Sequence, residues 1–212
     1  MLDRIRSKDQ KVICPISNSG YGTKSGEKYC TEESDLEPIS IYGQTKVDAE
    51  KALLKSEKDA VALRLATVFG LSPRMRIDLL VNDFVYKAVI DGYIILYEGH
   101  FKRNFVHIND VARAMQHSIE NFDTMKNQTY NIGLDEANIS KLELAQKIRE
   151  YIPGFRIHED FNGKDPDKRN YIISNEKIRK TGFEAKISLD KGIEELIKGY
   201  NILIRNDPFK NI

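Results

Sequence analysis

The N-terminal third of the chain carries two short apolar runs separated by a segment with helical spacing. The runs at 11–16 and 60–66 predict buried strands. The segment between them predicts a helix from Tyr42 to about Lys58, with Ser40 as its N-cap. Buried strands joined by a helix favour a parallel α/β sheet. The apolar side chains expected on the inner face of that helix are Val47, Ala49, Leu53 and Leu54.

The rest of the chain alternates the same two patterns. Strands are predicted at 93–97, 155–160 and 170–173. Helices are predicted at 78–91, 110–121, 140–151 and 188–205, with Asn109 as the cap of the second. The stretch 162–168 is rich in Gly, Asp and Pro and predicts a surface turn.

The most informative chemical pattern lies at the start of the first helix. Tyr42 and Lys46 are separated by four positions, which places both side chains on one helical face. A free phenol has a pKa of about 10 and is a poor base at neutral pH, whereas a neighbouring ammonium favours the phenolate. The pair is therefore a candidate proton-transfer device for an alcohol being oxidised or a ketone being reduced. The same spacing occurs by chance on many surface helices, so the pair needs support from its surroundings.

A polar turn after the first strand supplies that support. Ser17, Asn18 and Ser19 follow the apolar run directly and are punctuated by Gly20 and Gly22. Polar side chains at the carboxyl end of a strand are well placed to contact a ligand in an open α/β sheet. The alternative for Ser17 is a turn-capping role.

These residues resemble the extended short-chain dehydrogenases/reductases, and within them the NAD-dependent nucleotide-sugar epimerases and dehydratases. The shared motifs are Ser-x-x-x-Tyr-Gly at 17–22, Pro-x-Ser-x-Tyr-Gly-x-x-Lys at 38–46, Leu-Arg-x-x-x-Val-Phe-Gly-x-x-Pro at 63–73, Arg-x-Phe-x-His-x-x-Asp-Val at 103–111 and Tyr-Asn-Ile-Gly at 130–133. They occur in the family's order, and the likeness extends over roughly residues 10–201.

The resemblance implies an α/β fold made of the C-terminal part of a Rossmann-type parallel sheet and a small α+β substrate-binding domain. Residues 1–72 would form a partial NAD-binding domain that carries the Tyr42 helix. Residues 73–212 would form mainly the substrate-binding domain, with 105–121 returning to the Rossmann domain.

The resemblance also implies roles for individual residues. Ser17 would hydrogen-bond the sugar hydroxyl, Tyr42 would accept and return its proton, and Lys46 would favour the phenolate and hold the nicotinamide ribose. The cofactor, NAD or NADP, would contact Tyr42, Lys46, Leu65 and Thr67. The substrate, a nucleotide-diphosphate sugar, would contact Ser17, Asn18, Ser19, Thr67, Arg76, Arg103 and Arg169. For the arginines the alternative is a solvated surface position. Many members carry Asn where this chain has Thr67, and no metal site is expected.

Two positions bear on the type of reaction. Family members that eliminate water carry Asp-Glu directly after the catalytic hydroxyl residue, whereas this chain has Asn18 and Ser19 there. Neither side chain titrates near neutral pH, so neither replaces a carboxyl group as acid or base. The sequence therefore favours epimerisation, in which the sugar is oxidised to a keto sugar and the hydride then returns. A nucleotide-sugar ketoreductase and a 4,6-dehydratase are the further alternatives.

The resemblance also implies a glycine-rich strand–turn–helix at the start of the family's fold, which holds the cofactor pyrophosphate, and no such motif occurs in the sequence. We therefore expect the N-terminal half of the NAD-binding domain to be missing from this chain. A sheet cut at that point exposes an edge, so we expect a homodimer or association with the missing half. The competing hypothesis is a non-catalytic remnant or interaction module of the same fold.

The composition of the chain limits the partners and the cellular location that it can have. The net charge of +1 gives no bulk electrostatic case for nucleic acid or a membrane surface. The apolar runs are too short to span a bilayer and no secretory signal is visible, which predicts a cytoplasmic location. Cys14 and Cys30 lack metal-like spacing and are expected to be reduced thiols. Glu32 and Glu33 are expected at a solvated loop edge.

Overall fold

The computed structural model describes residues 10–24, 28–56, 58–165 and 167–203. Its strands are β1 Val12–Ser17, β2 Tyr29–Cys30, β3 Ala60–Leu65, β4 Thr67–Phe69, β5 Tyr93–Tyr97, β6 Lys102–Arg103, β7 Phe105–His107, β8 Gln128–Ile132, β9 Ile139–Ser140, β10 Arg156–Asp160 and β11 Ile172–Ile173. Its helices are α1 Ile41–Lys55, α2 Leu80–Ile90, α3 Ile108–Glu120, α4 Phe122–Met125, α5 Lys141–Tyr151, α6 Glu176–Arg179 and α7 Leu189–Leu203.

A parallel sheet of β1, β3 and β8, with β3 in the centre, confirms the predicted α/β class. Four consecutive side chains of β3, at 60–63, are at most 1% exposed, as expected for a strand covered on both faces. The register aligns Ser17 of β1 with Leu65 of β3, and Leu65 with Ile132 of β8. The carboxyl ends of all three strands therefore meet at one edge of the sheet.

Helix α1 begins and ends close to the predicted positions. The hydroxyl of Ser40 accepts a hydrogen bond from the backbone N–H of Gly43 at 3.1 Å, so the predicted N-cap is confirmed. The helix ends at Lys55, three residues before the predicted Lys58, because Ser56 adopts an extended backbone and turns its N–H back to the carbonyl of Leu53 at 3.1 Å.

The prediction of the inner face of α1 was half right. Val47 and Leu53 are buried, but Ala49 and Leu54 are exposed. Their place on the buried face is taken by Glu50, which is 6% exposed. Positions 47, 50 and 53 share one face at helical spacing, and an acid can lie there only if it is paired.

A second group of elements packs beside the sheet. A large apolar cluster draws on α2, α5, α7 and β5. Strand β4 pairs in parallel with β7 in a separate two-stranded sheet. The predicted domain boundary at residue 72 and the return at 105–121 stay predictions.

Helix α3 begins two residues earlier than its predicted cap implied. His107, not Asn109, is the N-cap, and its Nδ1 accepts a hydrogen bond from the backbone N–H of Asn109 at 3.2 Å. The other ring nitrogen lies 3.0 Å from Glu195 Oε2 on α7. Since the imidazole is fully buried and both nitrogens are engaged, its contacts are those of a structural histidine.

The described residues contain neither a membrane-spanning helix nor a cluster of metal ligands. Among the helices that the structure describes, none combines the length and apolar character needed to cross a bilayer. The described residues also contain no group of three or more His, Cys, Asp or Glu side chains that could hold a metal ion.

Candidate functional site

A cavity of about 330 Å³ lies at the carboxyl ends of β1 and β3. It is lined by Ile16, Ser17, Tyr42, Leu65, Ala66, Thr67, Val68, Arg76, Leu79 and Arg169. The fold therefore brings six of the predicted site residues to one place, although they come from widely separated parts of the chain. The edge of the sheet at the carboxyl ends of the strands is where open α/β folds bind ligands.

Tyr42 and Lys46 lie on the face of α1 that borders this cavity. Tyr42 is 54% exposed, and Lys46 is half-buried beneath it. The ammonium nitrogen of Lys46 lies 5.7 Å from the centroid of the Tyr42 ring. At that distance the positive charge acts directly on the aromatic ring.

Two arginines approach the same phenol. Hydrogen bonding to Asp78 raises the pKa of Arg76, and the Tyr42 phenol adds to that shift. Burial opposes the charge of Arg169, but its bonds to Asp167 and the nearby Tyr171 and Tyr42 hydroxyls raise its pKa overall. Lys46 on α1, Arg76 paired with Asp78 and Arg169 paired with Asp167 thus lie near Tyr42.

Ser17 both caps a turn and lines the cavity. Its side-chain oxygen accepts a hydrogen bond from the backbone N–H of Ser19 at 3.1 Å, at the start of a 3₁₀ turn over Asn18–Tyr21. Because the oxygen is the acceptor in this contact, the hydroxyl hydrogen remains available as a donor. The capping and ligand-binding readings of Ser17 are therefore compatible.

Asn18 and Ser19 lie behind the cavity wall rather than on it. Asn18 has no exposed surface and Ser19 is 1% exposed. Among the described residues, no group bonds to either polar atom of the Asn18 amide or to the Ser19 hydroxyl. A buried polar group without a partner costs about 1–3 kcal/mol, so such a cluster is typical of a site that another group completes.

Arg103 does not line the cavity. It is 3% exposed, and its Nη2 donates to the Asp167 backbone carbonyl at 3.1 Å and pairs with Asp167 Oδ1 at 3.2 Å. Asp167 in turn forms a two-point ion pair with Arg169, with Nε–Oδ1 at 2.7 Å and Nη2–Oδ2 at 2.5 Å. Arg103 therefore reaches the cavity only through Asp167 and Arg169.

The carboxyl group of Asp167 is stabilised in its ionised form. Burial alone would raise the pKa of this carboxyl, but the hydrogen bonds from Arg169 and the charges of Arg103 and Arg169 lower it to about 2. Burial lowers the pKa of Arg103, which Asp167 partly offsets. An arginine remains protonated under these conditions, so Arg103 is a buried cation whose charge Asp167 balances.

A buried network fixes α1 against the sheet. Glu50 accepts from Arg64 at both oxygens, at 2.9 and 2.5 Å, and from the Thr129 hydroxyl at 3.1 Å. Arg64 also donates to the Tyr21 hydroxyl at 2.8 Å and to the Glu32 carbonyl at 3.2 Å. The expectation that Glu32 lies at a solvated edge was wrong, since its carboxylate accepts from the Asn131 backbone N–H at 2.6 Å and burial raises its pKa.

Sequence reasoning missed two residues that shape the site, Glu50 and Asp167. Glu50 stands eight residues after Tyr42 and four after Lys46, so the helical spacing already placed it on their face. Asp167 lies two residues before Arg169, which indicated a local pair but not the contact with Arg103, 64 residues away. The lining residues Ile16, Val68 and Leu79 are apolar and carried no signal of their own.

The NAD dependent epimerase/dehydratase family model matches residues 1–133, more than half of the chain. The chain belongs to this family. A curated relative from Escherichia coli O111:H-, described as an uncharacterized 37.6 kDa protein in the cld 5′ region, is 31% identical over 190 residues. That match covers 85% of this chain and 51% of the relative. The predicted membership is therefore confirmed.

Solved structures confirm the fold. The UDP-glucose 4-epimerase of Thermotoga maritima, solved with UDP-glucose, is similar with a TM-score of 0.79 and 23% identity, over 92% of this chain and 64% of that one. The dTDP-glucose 4,6-dehydratase of Bacillus anthracis, solved with NAD, is similar with a TM-score of 0.78 and 22% identity, over 94% and 63%. The chain therefore spans about half the length of the curated relatives it matches. It spans less than two thirds of the length of the two chains in these solved structures.

Proposed function

We propose that this chain carries the substrate side and the proton-transfer residues of an NAD-dependent nucleotide-sugar epimerase. The observation that supports the proposal most is the convergence of Ser17, Tyr42 and Arg169 on one cavity, with Lys46 beneath the tyrosine. A hydroxyl donor, a phenol and surrounding cations are the groups that oxidation of a sugar alcohol requires.

In this proposal Tyr42 removes the proton from the reacting sugar hydroxyl and later returns it. Lys46, Arg76 and Arg169 stabilise the negative charge that the Tyr42 oxygen carries before it takes up the proton. Ser17 donates its hydroxyl hydrogen to the sugar oxygen and so orients it toward Tyr42. The keto sugar turns within the cavity, the hydride returns to the opposite face of its carbonyl carbon, and Tyr42 returns the proton to the oxygen.

The described residues fit the nicotinamide end of the cofactor. When bound, NAD would accept the hydride from the sugar carbon and give it back. Lys46 would hold the nicotinamide ribose, and Leu65 at the end of β3 and Thr67 at the start of β4 would border the ring. Asn18 and Ser19, whose polar side-chain atoms have no partners among the described residues, lie behind the same wall. The sequence contains no glycine-rich cradle for the pyrophosphate, so that end needs another segment.

The choice of epimerase over dehydratase rests on Asn18 and Ser19. Both reactions occur on this fold, so structural similarity does not separate them. Elimination of water needs an acid and a base beside the sugar, and neither an amide nor a hydroxyl titrates near neutral pH to serve as one. A hydride that returns to the sugar needs neither, so Ser17, Tyr42 and Lys46 are sufficient.

Product mass tests this proposal. The purified chain is incubated with NAD and UDP-glucose, alone and together with a separately produced glycine-rich N-terminal half of a relative. The proposal predicts a product of unchanged mass that separates from UDP-glucose by chromatography. Loss of one water would assign the site to a dehydratase, and no conversion in either mixture would contradict an enzymatic role.

A non-catalytic module of the same fold is the second candidate, because the 212 residues contain no glycine-rich motif that would hold the pyrophosphate of NAD. NAD titrated into the glycine-rich half alone and into its mixture with the chain separates the two, because a module that retains only the fold would leave the NAD affinity of the half unchanged. Association is a related prediction: among the described residues β1 pairs only with β3, so one of its edges is open. Sedimentation of the chain, alone and with the glycine-rich half, would distinguish a homodimer from a complementing pair.

A further inference from the structure

Within the part of the chain that the structure describes, the parallel sheet of β5 and β10 is covered on one face only. Ile94 and Leu96 of β5 are 3% exposed and belong to the apolar cluster that α2 and α5 help to form. The alternate side chains of β5, those of Tyr93, Ile95 and Tyr97, are between 37% and 57% exposed. Because successive side chains of a strand point to opposite faces, these three share the outer face.

The outer face continues into the turn that follows β10. Phe161 comes directly after the strand and is 87% exposed. The turn lies close to β5, since a Cβ at Gly163 would be 2.1 Å from the Tyr97 ring. At roughly 200 Å² for a whole aromatic side chain, Tyr93, Tyr97 and Phe161 together expose about 350 Å². An apolar patch of a few hundred Å² on a protein surface is often an interaction site.

Charged residues of β10 border this patch, with opposite signs at its two ends. The parallel register places Arg156 beside Tyr93 and Asp160 beside Tyr97. The two charged residues are four positions apart on an extended strand, a separation of about 13 Å. The outer face therefore carries a cation at one end, an anion at the other and apolar side chains between them.

This arrangement is complementary to itself under a two-fold rotation. An axis that lies between two such faces, at right angles to the strands, sets the strands of the two copies antiparallel. It brings Arg156 of each copy opposite Asp160 of the other, and it brings Ile95 opposite its own equivalent. Sheets that pack face to face lie about 10 Å apart, a gap that an arginine and an aspartate side chain together bridge.

We propose that the outer face of β5 and β10 is a homodimer interface, in which a second copy of this chain covers Tyr93, Ile95 and Tyr97, and Arg156 pairs with Asp160 of the second copy. The interface goes beyond the proposed function and does not depend on the reaction at the cavity. It also differs from association through the open edge of β1, which belongs to another sheet. Since the aromatic rings of both copies contribute only about 700 Å², we expect a weak dimer at the low end of specific interfaces.

Sedimentation equilibrium at about pH 8, over about a hundred-fold range of protein concentration, tests the interface. The native chain should show a monomer–dimer equilibrium. Arg156→Asp sets two carboxylates opposite each other at both ends, so the dimer Kd should rise at least about ten-fold. Arg149→Asp, at an exposed position of α5, is the matched control and should keep the native Kd. A native chain that stays monomeric, or an unchanged Kd in Arg156→Asp, would overturn the inference.

Mixing two variants tests the pairing of the charges. Asp160→Arg sets two guanidinium groups opposite each other and should also be monomeric on its own. In an equimolar mixture with Arg156→Asp, each introduced charge faces an opposite charge, so a heterodimer with a Kd close to the native value should form. No association in a mixture of two variants with native circular dichroism spectra would contradict the two-fold arrangement.

A further variant covers the case in which Asp160→Arg disturbs the turn, because the Asp160 carboxylate accepts from the backbone N–H of Asn162 at 2.9 Å. Ile95→Lys changes a side chain that is 46% exposed and sets two ammonium groups against each other on the axis. It should raise the dimer Kd at least about ten-fold. A native Kd in Ile95→Lys would show that the chain associates through another surface.

Discussion

Glu50 and Arg64 form a two-point ion pair in the interior, with Nε–Oε2 at 2.9 Å and Nη2–Oε1 at 2.5 Å. Their side chains are 8% and 5% exposed. The pair joins α1 to the central strand β3. The position of Tyr42 and Lys46 relative to the carboxyl ends of the strands therefore depends on it.

Removing one charge of this pair should destabilise the fold strongly. Glu50→Gln leaves the Arg64 guanidinium buried without a counter-ion, and we expect the free energy of unfolding to fall by about 3–5 kcal/mol. Urea unfolding followed by circular dichroism measures the change. Lys180→Met, which breaks the exposed pair with Glu176, should leave the midpoint unchanged. Similar midpoints for the two variants would show that the buried pair does not hold α1.

The local signals were sufficient to predict the frame of the site. Ser40 and the spacing of Tyr42 and Lys46 fixed the start of α1, and the apolar runs fixed β1 and β3. Partners distant in sequence were not predictable. Glu50 lies on a buried face only because Arg64 on the neighbouring strand pairs with it, and no propensity records that contact.

The same limit applies to Arg103 and Arg169. The sequence indicated phosphate-binding chemistry for both arginines. It could not show that Asp167 pairs with both, so that Arg169 borders the cavity and Arg103 is buried behind it. Likewise His107 capped α3 in place of Asn109, because its ring faces back to the backbone once Glu195 orients it.

Asn18 should contribute to ligand affinity and not to the stability of the ligand-free chain. Because both polar atoms of its amide lack partners among the described residues, Asn18→Leu should leave the free energy of unfolding equal or raise it by about 1 kcal/mol. The same variant should weaken UDP-glucose binding. Urea unfolding and calorimetric titration measure the two effects. A loss of several kcal/mol in stability would mean that the amide is satisfied in the ligand-free chain.

Asp167 predicts a pH-dependent difference in stability. Its pKa is lowered to about 2 in the folded chain, below the value of about 3.9 for an unfolded aspartate. The stabilisation is therefore present above about pH 3.9 and is lost as the pH falls through about 2. We expect native and Asp167→Asn proteins to differ in urea midpoint at pH 5 and to converge toward pH 2. A difference that stays constant would show that Asp167 acts without its charge.

Lys46 should affect the rate of UDP-glucose conversion and the pH dependence of that rate. Lys46→Met removes the ammonium near the Tyr42 ring, and we expect kcat to fall about 100-fold and the acidic limb of the profile to move to higher pH. Lys51→Met, at an exposed position of the same helix, is the control and should retain native kinetics. An unchanged profile in Lys46→Met would limit Lys46 to cofactor binding.

The most direct test of the central claim is the conversion rate of UDP-glucose by Tyr42→Phe, measured with NAD and the glycine-rich half present. Tyr42 is 54% exposed, so the substitution should leave folding intact while removing the proton acceptor. Tyr93→Phe, on β5 and 57% exposed, controls for the loss of a surface hydroxyl. The account predicts a rate at least about 100-fold lower in Tyr42→Phe and a native rate in Tyr93→Phe. Native conversion by Tyr42→Phe would contradict it.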